Sequence, residues 1–343
     1  MRVGLKSLFR STRRDFITQG SAALVSIALP FSLSASLHQN PIPFQMQYDV
    51  IIVGGSYSGL AAGLALGRSL RRVLIIDNGK PCNSQTPRSH NFLTQDGKTP
   101  KEISTLARQQ VESYPTVKFF SGSAIQGRKI DNGFEIRTAS SETFEAKKLI
   151  FAAGIKDNMP DLEGYAQCWG ISVLHCPYCH GYEVRKEKTG VLGNGEFGFT
   201  FAMLISNWTN DLTLFTNGQS ELTSEQTQRL NKRKITIRET EIESLQHQNG
   251  YLQQVLFRDR TATSMKALYV QSPFEQHCPI PESLGCALTE EGYLRTDPTQ
   301  ATTVPGIFAC GDSTSRMRTV ANAVATGTTA GMMVNKEMIL EEF

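Results

Sequence analysis

The sequence predicts an α/β protein made of two Rossmann-like, three-layer dinucleotide-binding domains. Three observations carry that prediction. A strand–glycine turn–helix–strand unit begins at Tyr48, a second begins at Thr189, and near the C-terminus a strand runs into Cys310-Gly311-Asp312 ahead of an Ala- and Gly-rich helix. At 343 residues the chain is long enough for about two domains of ordinary size. Its composition, 40% hydrophobic and 20% charged, is that of a soluble globular protein. The formal charge of +3 is gathered at one end. Residues 1–45 carry Arg2, Lys6, Arg10, Arg13 and Arg14 against Asp15 alone, so the body from Met46 onward is close to neutral and gives no case for nucleic-acid binding. The seven cysteines are too few and too scattered for a disulfide scaffold, and only Cys176 and Cys179 are close in sequence.

Residues 1–45 read as a targeting segment. A basic stretch precedes an apolar run over 22–33, then small residues around 34–36, and the run is too short to span a bilayer. Within it "STRRDFIT" resembles the twin-arginine signal, with Ile17 and Thr18 in its last two places. That route carries folded proteins, so the signal implies a cofactor loaded before export, a periplasmic or otherwise exported destination, and membrane contact only during export. Two other readings stand beside it: an amphipathic anchor, or a true start at Met46, which would leave the protein cytoplasmic.

In "YDVIIVGGSYSGLAAGLALGRSLRRVLIIDNG" the expected strand is 50–53, the glycine turn 54–59, the helix runs to about Leu70, and the second strand is 73–76. Gly54 permits the tight turn, Gly55 follows it, and Gly59 lets the helix pack against the strand. Ser56 stands where the dinucleotide fingerprint has its second glycine, and its small side chain still lets a pyrophosphate reach the helix N-terminus. Asp77 ends the second strand, where a carboxylate can accept from a ribose. The second unit, "TGVLGNGEFGFTFAMLISNWTNDLTLFTNG", has Gly193, Gly195 and Gly198 in the complete fingerprint. After its second strand come Thr216, Asn217 and Gly218, with neither an acid for a ribose nor an arginine for a 2′-phosphate. The fold is therefore clear there, while NAD(P) binding stays open.

The C-terminal stretch "TTVPGIFACGDSTSRMRTVANAVATGTTAGMMVNKEMI" has a strand over 307–309, then Cys310-Gly311-Asp312 and a long helix. With it the chain resembles the flavin-dependent pyridine nucleotide-disulfide oxidoreductases, specifically the low-molecular-weight thioredoxin reductase family. The likeness covers nearly everything from Tyr48 to Ile339. It implies that the second dinucleotide domain is inserted into the first. The expected order is a first FAD-binding part over 46–157, an NAD(P)-type domain over 158–286 carrying the cysteine pair, and a second FAD-binding part over 287–343. It implies FAD as cofactor, with Gly311 and Asp312 on its ribityl and pyrophosphate side, and with Ala321, Ala323 and Ala325 letting the helix come close. Such a helix end would stabilise charge developing on the flavin. "RSHNFLTQDG" takes the place of the family's FAD-contacting loop, so Asn91 is either a flavin-side contact or part of a plain polar loop. The family also implies a homodimer.

"HCPYCHG", over 175–181, then has four readings. A c-type haem needs an unfolded segment outside the membrane, at odds with export after folding. Zinc needs four ligands, and the adjacent pairs His175/Cys176 and Cys179/His180 build a poor tetrahedron, so no metal is expected. A structural disulfide is the bland reading. A redox dithiol is favoured, because this spacing closes and opens a small ring with little chain movement and commonly lowers one thiol pKa. By resemblance Cys179 faces the flavin and Cys176 exchanges with the substrate. The family usually has Asp after the second cysteine; here it is His180, whose imidazole suits proton shuttling. His175 is expected to be a polar turn residue.

Cys-x-x-Cys-His-Gly also resembles dithiol oxidases that close disulfides in small sulfur metabolites. The expected activity is therefore thiol–disulfide exchange with FAD, towards a small thiol or disulfide or a thioredoxin-like protein. Two alternatives remain: a dithiol oxidase without NADPH, and a non-catalytic FAD-binding redox sensor. The targeting reading is checked by cell fractionation. An Arg13→Lys/Arg14→Lys precursor should accumulate in the cytoplasm, and undiminished export of that double variant would refute the twin-arginine assignment.

Overall fold

The computed structural model describes residues 47–343; the twin-arginine segment and Met46 lie outside the described residues. Strand β1 (Tyr48–Val53), helix α1 (Tyr57–Arg68) and β2 (Val73–Asp77) form the first unit. Helix α2 (Pro100–Glu112), β3 (Val117–Ser121), β4 (Ala124–Ile130), β5 (Gly133–Thr138) and β6 (Thr143–Phe151) follow, and β7 (Ile155–Asp157) leads out. The first sheet has the order β3-β2-β1-β6-β5-β4, its first four strands parallel. Continuous Val/Ile/Leu runs suit it, because a parallel sheet is covered on both faces; Ile51, Ile52, Val73 and Ile75 are fully buried.

The second domain holds helix α3 (Tyr165–Cys168), β8 (Val173–Leu174), the short α4 (Pro177–His180), β9 (Thr189–Leu192), α5 (Gly195–Ile205) and β10 (Leu212–Phe215). Helix α6 (Ser224–Lys232), β11 (Thr236–Arg238), the antiparallel β12 (Ile242–Gln248), β13 (Tyr251–Phe257) and β14 (Ala262–Ser264), and β15 (Ala267–Val270) complete it. Its parallel sheet runs β11-β10-β9-β15-β8. The chain returns through β16 (Phe274–Gln276), which pairs antiparallel with β7. Then come helix α7 (Ile280–Ser283), β17 (Ile307–Ala309), which pairs parallel with β6 in the first sheet, and helix α8 (Val320–Glu342). The second Rossmann-like domain is thus inserted into the first.

Two boundaries differ from expectation. Helix α1 ends at Arg68, and Leu70 already has a φ of 62°. The return crossing falls at β16, well ahead of residue 286, because Cys278, Ile280 and Cys286 are buried with Ile51, Leu149 and Phe151 in the first domain's core. Contact with that core, rather than composition, decides the boundary. No helix among the described residues is long and apolar enough to cross a membrane.

Helix α8 is the longest among the described residues, at 23 residues, and lies against α1 at backbone distance. A Cβ on Gly327 would stand 2.1 Å from Ser58 O, and one on Gly331 2.6 Å from Ala62 O. Glycine is therefore required at the crossing, and below it Ala330, Val334 and Met338 join Leu60 and Leu66 in one core. Lys148 fastens the far end of α8 through Glu337 at 2.7 Å and Glu341 at 2.5 Å. Gly327→Ala should cost about 1–3 kcal/mol by overpacking this crossing. Thermal melting checks it, with Ala325→Ser on the exposed side of α8 as control; equal melting temperatures for the two variants would contradict the close approach.

Candidate active site

A cleft of about 700 Å³ opens along the C-terminal ends of β1, β2 and β6, where ligands sit in open α/β sheets. Gly54, Gly55, Ser56 and Asp77 line it from the first domain. Gly54 has a φ of 107°, and a Cβ there would meet Ala152 O at 2.4 Å. The Gly55 N–H donates to Asp77 Oδ1 at 3.0 Å, which ties the carboxylate to the turn. Ser56 is the N-cap of α1 but makes no side-chain cap, and the first turn contains no acid, so its N–H groups and the positive helix end remain available to an anion. Gly59 and Gly311 are not on the cleft wall and act beneath it. A Cβ on Gly59 would stand 1.9 Å from Gly54 O, and one on Gly311, at a φ of 76°, would meet Ser58 Oγ at 2.6 Å.

Cys179 and His180 form part of the same wall. Cys176 and Cys179 are joined as a disulfide with Cα atoms 5.3 Å apart. Proline at the first position of α4 and the N-cap role of Cys176, whose Sγ accepts from the Cys179 N–H at 3.2 Å, set this short turn. Burial, with His90 nearby, lowers the His180 pKa to about 4. His175 is not the polar turn histidine expected. It lines the cleft, its ring stacks on Trp169 at 5.8 Å, and its buried Nε2 has no partner. Burial first, then the Arg318 charge, lower its pKa to about 3. Trp169 stacks in turn on Tyr165, whose hydroxyl shares a 2.7 Å hydrogen bond with Ser272.

The charged end of the cleft brings together residues that sequence reasoning missed. Arg318, just before α8, donates to both oxygens of Asp157 at 2.8 and 2.7 Å, and its Nε lies 3.8 Å from Asp312 Oδ2. Burial raises the Asp312 pKa despite Arg318. The Cys82 S–H lies 4.0 Å from Asp312 Oδ2; enclosure by the surrounding chain, with Asp312 beside it, pushes this thiol up to about 12 although it opens onto the cleft. An arginine ahead of a helix and a lone cysteine carry no spacing signal that would have marked them.

Three expected contacts are not on the cleft wall. Ala321 and Ala325 are exposed on α8, which meets the cleft through Val320, Ala323 and its N-cap Thr319. Asn91, at a φ of 58°, gives its N–H to Asp96 at 2.8 Å and lines a separate, smaller depression against α4.

The second glycine turn has the spacing of the first and the opposite electrostatics. Asn194 Oδ1 accepts from the N–H groups of Gly195 and Glu221, each at 2.9 Å, and its Nδ2 donates to Gln219 O at 2.9 Å. Glu196 occupies the first turn of α5, and a Cβ on Gly195 would lie 3.5 Å from Glu221 Oε2. Asn217 Oδ1 is spent on the Ile242 N–H at 2.7 Å. The Asn194 cap and the carboxylates of Glu196 and Glu221 make this turn less inviting to a pyrophosphate than the first one. The first cleft does fit FAD. Its helix end is uncapped, Asp77 and Asp312 can take hydroxyls, and Arg318 Nε is a buried donor with no partner.

A dinucleotide cleft with a redox disulfide in its wall defines a flavin-type thiol–disulfide oxidoreductase. The chain belongs to the pyridine nucleotide-disulphide oxidoreductase family, whose model matches residues 48–327, and within it to the low-molecular-weight thioredoxin reductase-like group. It is 31% identical to thioredoxin reductase tcpT of Claviceps purpurea over 85% of this chain and 95% of that one. To thioredoxin reductase aclD of Aspergillus oryzae it is 30% identical, over 86% and 98%. Among solved structures, an oxidoreductase from Agrobacterium tumefaciens matches with a TM-score of 0.81 at 35% identity, covering 86% of this chain and 99% of that one. The chain is accordingly an FAD-dependent oxidoreductase acting on sulfur groups.

Folded His180 stays neutral down to about pH 4, whereas the unfolded imidazole titrates near 6.5. Over that window the unfolded chain binds more protons, so stability should fall as pH is lowered from 6.5 towards 4. Melting temperatures across the window check this, and His180→Asn should flatten the slope; an unchanged slope would mean that His180 is not held neutral.

Proposed function

We propose that the protein moves an electron pair between bound FAD and a substrate dithiol or disulfide through Cys176 and Cys179. The observation that carries this reading is the presence of Cys179 and His180 on the wall shared with the uncapped turn of α1. Bound FAD would supply the two-electron reservoir. Gly54, Gly55, Ser56 and Asp77 would hold its adenosine and pyrophosphate side, and Asp312, oriented by Arg318, its ribityl side. Cys176 would exchange with the substrate sulfur, leaving Cys179 as the thiolate on the flavin side. Neutral His180, next to Cys179 on the cleft wall, would relay a proton between solvent and the Cys179 sulfur.

The electrons enter from a dithiol on the second reading, which the self-filled turn at Asn194, Glu196 and Glu221 favours over NAD(P)H. The names of the relatives support a thioredoxin-like partner, and a small thiol or disulfide is the other class. Export by the twin-arginine route and a homodimer complete the proposal, resting on "STRRDFIT" and on the family resemblance.

Anaerobic titration of the holoprotein tests it. Dithiols should bleach the flavin absorption and air should restore it, while NADPH should leave the spectrum unchanged. Fast bleaching by NADPH would support the reductase direction, and turnover by neither would support a sensor. Cys176→Ser and Cys179→Ser should each lower turnover about a thousandfold or more, as removal of a nucleophile does; normal turnover in either would overturn the dithiol mechanism.

A further inference from the structure

His175 has no part in the exchange chemistry, yet it stands where that chemistry happens. It lies between β8 and α4 of the inserted domain, immediately ahead of Cys176, and it lines the cleft built on the glycine turn of the first domain. Its Nε2 is buried and has no hydrogen-bond partner among the described residues. A buried polar nitrogen left unpaired destabilises a fold, so this one points to a ligand that satisfies it.

The ring is held in place from behind. It stacks on Trp169 at 5.8 Å and 25°, and Trp169 stacks on Tyr165 at 5.8 Å and 17°. Tyr165 is anchored through its hydroxyl to Ser272, and the Trp169 carbonyl accepts from the Gln85 side chain of the first domain. Contacts from both domains thus keep the imidazole in the cleft wall, where Trp169 and Leu174 add apolar surface beside it.

Burial and the Arg318 charge keep the ring neutral, so Nε2 is no counterion for a pyrophosphate. A neutral imidazole nitrogen offers a single donor or a single acceptor. The flavin ring system is the part of FAD that matches: it is flat, apolar on its faces and rimmed by C=O and N–H groups. The location agrees, because Cys179 is on the same wall and electrons pass between the disulfide and the flavin ring.

We propose that His175 Nε2 is the inserted domain's hydrogen-bonding contact to the ring system of bound FAD, and that this contact seats the segment carrying Cys176 and Cys179 against the cofactor. The inference rests on FAD occupying the first cleft. It makes the cofactor a bridge, held by Gly54, Gly55, Ser56 and Asp77 of the first domain and by His175 of the second. His175 is then a positioning residue for the disulfide, distinct from the proton relay at His180.

FAD titration of the full chain, stripped of flavin and reloaded, tests the proposal. His175→Phe keeps a ring on Trp169 and removes the nitrogen; it should weaken FAD binding about tenfold, the size of one hydrogen bond, and shift the visible bands of the bound flavin. His175→Leu, which needs less room, should show the same loss, and His175→Gln, with donor and acceptor restored, should recover most of it. Without FAD, the Phe variant should melt no lower than the unsubstituted chain, since it removes an unpaired polar atom. Hydrogen exchange over residues 173–181 should slow severalfold on FAD binding in the unsubstituted chain and not in His175→Phe. Unchanged affinity and flavin bands in both apolar variants overturn the contact. A loss that tracks a lower melting temperature without FAD, and that Gln does not recover, makes His175 merely structural and overturns it too. Equal exchange protection in His175→Phe overturns the seating of the disulfide segment. If the unsubstituted chain takes up no FAD, the cofactor reading of the first cleft itself fails.

Discussion

The buried pair between Arg318 and Asp157 is the interaction on which the site's assembly depends. Asp157 closes β7, the strand by which the chain leaves the first domain, and Arg318 stands immediately ahead of α8. One guanidinium thus joins the domain crossing, the start of the long helix and the Asp312 carboxylate. Its side chain is 13% exposed and that of Asp157 only 6%, so neither charge is tolerable without the other. The pair is poor evidence for stability, because desolvation consumes much of the Coulombic gain. Its value lies in geometry: it fixes the entrance of α8 relative to the segment that carries the redox helix.

Around that fixed point the two dinucleotide folds have diverged in electrostatics while keeping one backbone design. In α1 the first turn is uncapped and free of acids. In α5 the same place is capped by Asn194 and carries Glu196. A helix end offers only a few N–H groups and a fractional positive charge, so a single amide and nearby carboxylates weaken its pull on an anion.

Neutral histidines suit the cleft. An acid after the second cysteine would add a negative charge beside a thiolate in a poorly hydrated wall. An imidazole held below its ordinary pKa stays neutral and adds no charge beside the cysteine pair. His175 extends the same logic, wedged between Trp169 and Arg318 with one ring nitrogen unpartnered.

Local spacing by itself determined the two strand–turn–helix units, Asp77 at its strand end, the Cys-x-x-Cys pair and the glycines of the first turn. Each of these depends on residues a few positions apart, where period and backbone sterics act directly. The insertion of one domain in the other was legible through family order and holds in the sheet topology. Tertiary structure alone decided that Cys278 and Cys286 belong to the first core, that Ala321 turns away from the cleft, and that His175 lines it with a buried Nε2. It alone joined Asp157 to Arg318 across 161 residues and spent Asn194 on a loop 27 residues away. Such pairings leave no periodic trace, because a side chain's partner is set by the three-dimensional neighbourhood in which desolvation makes an unpaired polar group costly.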